Sequence, residues 1–341
     1  MSLDTADPSL PAPLRDVLAY EGVRVPRVGT PRAVAPGADG PGAEGPAAGR
    51  VAAPTAVRWE VFGLPGLGKS TLCRALAARL HAAGAPALYL PEAVPYAVRV
   101  LGIRLADLEP FLDRVNAQAE ALATAFVAAD ARTTDAAVPD SRDAGRRAAP
   151  GRGSPGHAEP RVVLRDPAHV QNESYRYVLH ARRDEDALAA LLPAVATAAA
   201  RGRWDEAVAA EFGRALVARH PAMRAAPRGA WRLGHLVLTT GDPLEDLALS
   251  ARRQRTPERD PGLVTDDPVT LTGYLAAIRA AEARTRVESG AARLILDPRR
   301  PAADLVDELE AATTAAVPQA APALRPDAPP TSEGRQRGSA A

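Results

Sequence analysis

The feature that most constrains this chain is a short glycine-rich stretch between a predicted strand and a predicted helix. Ahead of it, Val57 to Phe62 alternates and is rich in β-forming residues. Behind it, leucines recur at helical spacing as far as Gly84. The stretch comprises Gly63, Leu64, Pro65, Gly66, Leu67, Gly68, Lys69, Ser70 and Thr71. A strand, a glycine-rich turn and a helix in this order predict a loop that binds phosphate groups.

Such a loop binds phosphate mainly through its backbone. Glycines let the chain come close to the ligand, and N–H groups of the turn and of the helix N-terminus converge on the phosphate oxygens. We expect Lys69 to contact the β- and γ-phosphates of ATP, and the Ser70 hydroxyl to bind Mg²⁺. Lys69 is the only lysine among 42 basic residues, all the others being arginine. The chain therefore keeps a compact ammonium at the one position where that chemistry is wanted.

Composition limits the other classes of function. The net charge is +1, with 42 basic and 41 acidic residues, so no overall field selects nucleic acid or an anionic membrane. The single cysteine, Cys73, excludes an internal disulfide and a cysteine-based metal site, and we interpret it as a buried helix residue. Neither a secretory signal nor a membrane-spanning stretch is present in the sequence, so we expect a soluble, cytoplasmic protein.

Proline and glycine divide the chain into ordered and disordered parts. The 33 prolines and 26 glycines concentrate at both ends and in one internal stretch. We predict disorder over all of residues 1–56, in which only Pro13–Tyr20 shows a short helical pattern, and again over 133–160 and 317–341. The remaining domain, residues 57–316, alternates strands with helices. This pattern predicts an α/β fold of three layers, α/β/α, with a doubly wound, mainly five-stranded parallel sheet.

Acidic and basic residues follow two of the predicted strands. Glu92 comes just after Ala87–Leu90, at the sheet edge where ligands of open α/β folds bind, and is our candidate general base. The run Arg161–Asp166 ends in Arg165, a candidate contact to the phosphoryl group, and Asp166, a candidate Mg²⁺ ligand. A solvated glutamate and a charged pair that merely ends a strand are the alternatives.

The densest basic cluster of the predicted domain is Ala251–Gly262, at the end of a helix that begins near Leu244. Arginines at alternate positions before a helix breaker predict a lid that closes over phosphates, with Arg253 and Arg255 as its cations. The alternative is a solvated helix end, where arginine is also favoured.

With these parts in order, the chain resembles the P-loop kinases that phosphorylate nucleosides and nucleotides, above all the deoxyribonucleoside kinase and thymidylate kinase group. The segments that carry the resemblance are Gly63–Thr71, Glu92, Arg165 and Arg253–Glu258, the last matching an Arg-x-Arg-x-x-Glu lid pattern. The resemblance implies that Glu92 is the catalytic base and that Arg165 contacts substrate and phosphate. It also implies that Arg253 and Arg255 close over ATP.

We expect Tyr96, Gln118 and Arg165 to bind the phosphoryl acceptor. Gln118 lies on the predicted helix Leu105–Arg132, where its amide is able to hydrogen-bond a base edge. Aromatic residues are only 4% of the chain, which supplies few surfaces for stacking a base. The family's Glu-Arg-Ser after the third strand reads Leu164–Asp166 here. An acceptor that is not a nucleoside therefore stays open.

The sequence predicts Mg²⁺- and ATP-dependent phosphoryl transfer to a small molecule, with a (deoxy)nucleoside or nucleoside monophosphate as the first expectation. The alternatives are a nucleotide-binding regulatory ATPase or switch, a P-loop kinase acting on a non-nucleoside molecule, and a kinase-like domain that only binds nucleotide. We expect no nucleic-acid or membrane partner, and a homodimer is compatible with the sequence.

Overall fold

The computed structural model describes residues 10–23, 25, 56–104, 107–129, 161–168, 171, 187–201, 231–254 and 268–316, with six further positions between 207 and 215. The predicted insertion over 133–160, the tail over 317–341 and the lid residue Arg255 lie outside the described residues.

Five strands form one sheet. They are β1 Ala56–Phe62, β2 Ala87–Leu90, β3 Arg161–Arg165, β4 Trp231–Leu238 and β5 Ala292–Leu296. Their spatial order is β2-β3-β1-β4-β5, and every neighbouring pair is parallel. The predicted five-stranded parallel sheet is therefore confirmed.

Eight helices belong to the described residues. They are α1 Ala12–Tyr20, α2 Lys69–Ala82, α3 Val94–Arg99, α4 Glu109–Ala128, α5 Ala187–Ala200, α6 Pro243–Gln254, α7 Pro268–Ser289 and α8 Ala302–Ala316. Helix α3 was not predicted, and α4 is shorter than the predicted helix Leu105–Arg132. None of the helices that the structure describes is long and apolar enough to cross a membrane.

Strand β1 lies in the centre of the sheet, and all seven of its residues are buried. Successive side chains of a strand point to opposite faces. Trp59 Nε1 donates a hydrogen bond to Thr313 Oγ1 of α8 at 2.9 Å, whereas Arg58 donates to both carboxylate oxygens of Glu120 in α4, at 2.6 and 2.7 Å. Gly234 of β4 leaves room for the Trp59 ring, because an added Cβ would lie 2.5 Å from that ring.

The order of the strands determines where a ligand site can form. From β1 the chain moves to one side for β2 and β3, and then returns to the other side of β1 for β4 and β5. Ligands of open α/β sheets bind outside the carboxyl ends of the strands at such a switch point. The carboxyl ends of β1, β2 and β3 lead to Gly63, Glu92 and Asp166, so the fold brings these three predicted site residues to one edge.

The prediction of disorder over residues 1–56 is wrong for residues around α1. The apolar side chains that this segment buries in the core are Leu14, Val17, Leu18, Val23 and Val25. They pack with α4 and with the rest of the domain. Five apolar residues within twelve positions bury enough surface to order a short helix, although the segment as a whole is rich in Pro, Gly and Ala.

Candidate functional site

The glycine-rich loop begins at a position that only glycine fits. Gly63 has a φ of +144°, and an added Cβ would lie 2.9 Å from the carbonyl oxygen of Leu238. The loop ends at Gly68, which caps the N-terminus of α2 with a φ of 95°. Positive φ values at both ends favour glycine over any residue with a side chain. The glycine spacing in the sequence thus reflects a backbone requirement.

Side chains hold the loop by its carbonyl groups. The Lys69 ammonium is buried and donates to the carbonyl oxygens of Gly63 at 3.0 Å and Leu64 at 3.1 Å. The Ser250 hydroxyl of α6 donates to the carbonyl oxygen of Pro65 at 2.7 Å. Three successive carbonyl groups are therefore held by side-chain donors, and one of the donors comes from outside the loop.

Arg253, predicted as a lid arginine, holds the next carbonyl group. Its Nη1 donates to the carbonyl oxygen of Gly66 at 3.2 Å, and its Nη2 donates to that of Pro298 at 3.2 Å. Arg253 thus links the loop to the segment that follows β5. Since Arg255 lies outside the described residues, a lid formed by both arginines stays a prediction.

The N–H group of Gly66 points away from these donors. The C=O and N–H groups of a trans peptide unit point in opposite directions, so turning the Pro65 carbonyl toward Ser250 turns the Gly66 N–H away from it. Among the described residues, none accepts a hydrogen bond from the N–H groups of Gly66 or Ser70. Together with the N-terminus of α2, these two N–H groups are able to bind an anion.

The two predicted metal ligands lie side by side. Ser70 Oγ donates to Oδ2 of Asp166 at 2.6 Å, and the Tyr89 hydroxyl donates to the same oxygen at 3.3 Å. The other oxygen, Asp166 Oδ1, is buried and has no hydrogen-bond partner among the described residues. A buried carboxylate oxygen without a partner is costly, and a hydroxyl and a carboxylate are ligands that Mg²⁺ prefers. These two residues therefore fit a Mg²⁺ ion.

The described ranges contain no group of three or more His, Cys, Asp and Glu side chains that could hold a metal ion by themselves. This does not conflict with the fit, because protein-bound Mg²⁺ commonly takes one or two carboxylates and completes its shell with waters and substrate phosphates.

Glu92 has the titration behaviour of a general base. The pKa of its carboxyl is raised to about 7: burial is the main cause, Asp166 and Glu21 add to the rise, and Lys69 and Arg165 oppose it. A base works best when its pKa lies near the working pH, because it is then both available and basic enough to take a proton. The five charged groups lie close enough to affect one another. The structure therefore brings Glu92 together with the predicted loop lysine, metal ligand and substrate arginine.

Arg165 is buried beside Glu92. Its Nη2 donates to Oδ1 of Asn116 in α4, while its Nε has no hydrogen-bond partner among the described residues. Burial lowers the pKa of the guanidinium, and the carboxylates of Glu120 and Glu60 oppose this effect. A buried guanidinium with one unused donor can bind an acceptor or a phosphate oxygen.

Two of the predicted acceptor residues, Gln118 and Tyr96, contact α1. Gln118 Oε1 accepts a hydrogen bond from the backbone N–H of Leu14 at 3.2 Å, so this oxygen anchors α1. The Tyr96 ring lies 5.6 Å from the Tyr20 ring and 6.4 Å from the Phe111 ring, between centroids. Tyr96 thus packs with two other aromatic rings, and the side-chain oxygen of Gln118 already accepts a hydrogen bond.

Three residues at the loop were not predicted from the sequence. Gln171, five positions after Asp166, makes hydrogen bonds from its side chain to both backbone groups of Gly63 and to the Tyr274 hydroxyl. Ser250 holds the loop as described above. A lone glutamine, tyrosine or serine carries no local pattern, so only the folded structure reveals these contacts. Cys73 is buried, as predicted.

Comparison with known proteins adds no relative: no protein-family model matches the chain, and no match arises among the curated proteins searched.

Proposed function

We propose that this chain is a P-loop kinase, with a three-layer α/β/α domain, that transfers the γ-phosphoryl group of ATP to a small molecule. The observation that carries the proposal is the loop Gly63–Thr71. Side chains hold its carbonyl groups, the Gly66 and Ser70 N–H groups have no acceptor among the described residues, and the Lys69 ammonium donates to two of its carbonyl groups. That arrangement suits a chain of phosphates.

Glu92 is the second support for transfer rather than binding alone. A carboxyl with a pKa of about 7 beside the loop lysine is able to accept the proton of an acceptor hydroxyl. The acceptor oxygen then forms a bond to the γ-phosphorus while the bond from that phosphorus to the leaving oxygen of ADP breaks. Glu92 keeps the proton, and Lys69 and Arg165 offset the charge of the phosphate oxygens.

Ser70 and Asp166 would hold a Mg²⁺ ion. When bound, this ion neutralises charge on the phosphate oxygens and orients them. The Ser70 hydroxyl could keep its hydrogen bond to Asp166, because it has one hydrogen to donate and two lone pairs with which it could bind the ion.

We propose a nucleoside or nucleoside monophosphate as the first acceptor to test. A second acceptor class, a small hydroxyl compound without a base, is favoured by one observation. The side-chain oxygens of Gln118 and Asn116, two amides on α4, already accept hydrogen bonds from the Leu14 backbone and from Arg165. An acceptor recognised by charge would need Arg165 and Glu92 but neither amide.

The test is ADP release from Mg-ATP in the presence of nucleosides, nucleoside monophosphates, sugars and amino alcohols. The class of compound that stimulates ADP release identifies the acceptor. Lys69→Ala should abolish release while the circular dichroism spectrum stays unchanged. Release that no acceptor changes would favour a regulatory ATPase instead, and full activity of Lys69→Ala would refute the role of the loop.

A further inference from the structure

Gln171 lies buried against the first residue of the loop and reaches both of its backbone groups. The Gly63 N–H donates to Gln171 Oε1 at 3.1 Å, and Gln171 Nε2 donates to the Gly63 carbonyl oxygen at 2.9 Å. A backbone N–H only donates and a carbonyl only accepts, so this pairing fixes which way the side-chain amide points. Gln171 thus holds Gly63 as a neighbouring strand would, with one hydrogen bond in each direction.

Two further contacts extend this pairing. Gln171 Nε2 also donates to the Tyr274 hydroxyl of α7 at 2.8 Å. The Gly63 carbonyl also accepts from the ammonium of Lys69 at 3.0 Å. A continuous chain of hydrogen bonds therefore runs from α7 through Gln171 and the Gly63 carbonyl to the loop lysine. Its side chains are shielded from water, with exposures of 4% for Tyr274, 1% for Gln171 and 7% for Lys69.

The backbone of Gln171 is itself fixed to the sheet. Its N–H donates to the carbonyl oxygen of Ala168 at 2.9 Å, and the N–H of Ala168 donates to the carbonyl oxygen of Val61 in β1 at 2.8 Å. Asp166, which directly follows β3, accepts from Ser70 at the other end of the loop. Residues that follow β3 therefore hold the loop at both ends.

We infer that Gln171 and Tyr274 form a positioning pair that sets the place of the Lys69 ammonium by holding the Gly63 carbonyl. The pair acts through Gly63, so neither member is a catalytic residue. Its effect on turnover rests on the proposed function, whereas its effect on Lys69 does not, and the two can be measured separately.

Lys69 can be observed directly because the chain has no other lysine. An amine-reactive acylating reagent modifies only Lys69 and the α-amino group, which serves as an internal standard in the same sample. The rate at Lys69 is followed by peptide mass spectrometry, without nucleotide, in the full chain and four variants. They are Gln171→Ala, Gln171→Glu, Tyr274→Phe and the control Thr272→Val.

The two changes at Gln171 should act in opposite directions. Alanine releases the Gly63 carbonyl and with it the ammonium, so acylation should become roughly two- to tenfold faster, the factor that one hydrogen bond carries. Glutamate cannot donate to that carbonyl, and its charge attracts the ammonium away from the reagent, so acylation should become slower by a similar factor. A loss of stability alone would move both rates in the same direction.

Tyr274→Phe keeps the ring and removes only the hydroxyl that accepts from Gln171, so it should speed acylation about twofold. Thr272→Val, two residues earlier in α7, removes a buried hydroxyl that has no hydrogen-bond partner among the described residues, and the rate should not change. Equal rates in all variants, or shifts of one sign in both Gln171 variants, would overturn the inference. If Gln171→Ala does not fold, an unchanged rate in Tyr274→Phe overturns it alone.

A second arm measures the binding of Mg-ATP to the same proteins. Gln171→Ala should weaken ATP binding roughly two- to tenfold and leave the KM of the acceptor unchanged, because Gln171 acts on the loop through Gly63. If the unchanged chain binds no Mg-ATP, the proposed function fails, whereas opposite shifts in acylation would still support the positioning pair. If Gln171→Ala binds Mg-ATP as tightly as the natural chain does, the pair has no role in the ATP site.

Discussion

Turnover by this protein should depend on pH through Glu92. The pKa of its carboxyl is about 7, against an ordinary value of 4.5. The ionised fraction then rises from about one-tenth at about pH 6 to about nine-tenths at about pH 8, so kcat/KM should rise about tenfold over this range. A glutamate with the ordinary pKa would be ionised throughout, and the profile would be flat. Glu92→Gln should remove the rise together with most of the activity.

The same pKa makes a prediction for stability that needs no substrate. A carboxyl whose folded pKa lies above its unfolded value stabilises the fold while it is protonated, and this contribution is lost as the pH rises toward the folded pKa. Relative to Glu92→Gln, the unchanged protein should lose about 3 kcal/mol of unfolding free energy between about pH 4.5 and about pH 7.5. Urea titrations at a series of pH values measure this difference.

Glu21→Gln is the matched control, because Glu21 raises the pKa of Glu92 and its ion pair with Arg74 lies at the surface. This variant should move the rise in kcat/KM to lower pH without removing it. The assignment of Glu92 as base would be refuted if kcat/KM of the natural chain were constant between about pH 6 and about pH 8. It would also be refuted if Glu92→Gln left the pH dependence of kcat/KM unaltered.

Three further variants, two of them paired with a control variant, test the packing and backbone geometry around the site. Leu18→Ala should lower the free energy of unfolding by about 2–5 kcal/mol, because Leu18 of α1 is fully buried. The control Ala19→Gly, on the exposed side of the same helix, should lower it by about 1 kcal/mol. Equal losses in a urea titration would mean that α1 is not packed as described. Arg58→Ala should lower the free energy of unfolding by about 3–5 kcal/mol, since it removes the guanidinium that pairs with the buried carboxylate of Glu60 and the half-buried carboxylate of Glu120. Arg104→Ala, at a side chain that is 82% exposed, should change it by less than about 1 kcal/mol. Gly63→Ala should lower the free energy of unfolding by about 1–3 kcal/mol, because the φ of Gly63 and the Leu238 carbonyl leave no room for a Cβ. It should also abolish Mg-ATP binding in calorimetry. Binding at full strength would contradict the loop geometry.

The parts of the fold that could be predicted depend on local patterns. Strand β2, Ala87–Leu90, has the predicted bounds, and β1 and β3 differ from prediction by one residue at one end. Each is a short apolar run between turn signals, and the glycine loop between β1 and α2 is a pattern within nine residues. Glu92 and Asp166 follow from the same logic, because a parallel sheet brings the ends of its strands to one edge.

The parts that could not be predicted depend on contacts between distant residues. Gln171 is 108 positions from Gly63, and Ser250 is 185 positions from Pro65. Nothing near either donor in the sequence indicates its partner. Composition also misled where it averaged over a long segment: α1 was assigned to a disordered tail because its few apolar residues lie within a region rich in proline and glycine.

The central claim is that the loop binds the phosphates of ATP at Lys69. With Mg-ATP at about ten times its dissociation constant, acylation of Lys69 should slow about tenfold relative to the α-amino group, and adenosine at the same concentration should have no effect. A Lys69 rate that Mg-ATP leaves unchanged, in protein that stays folded, would contradict the claim.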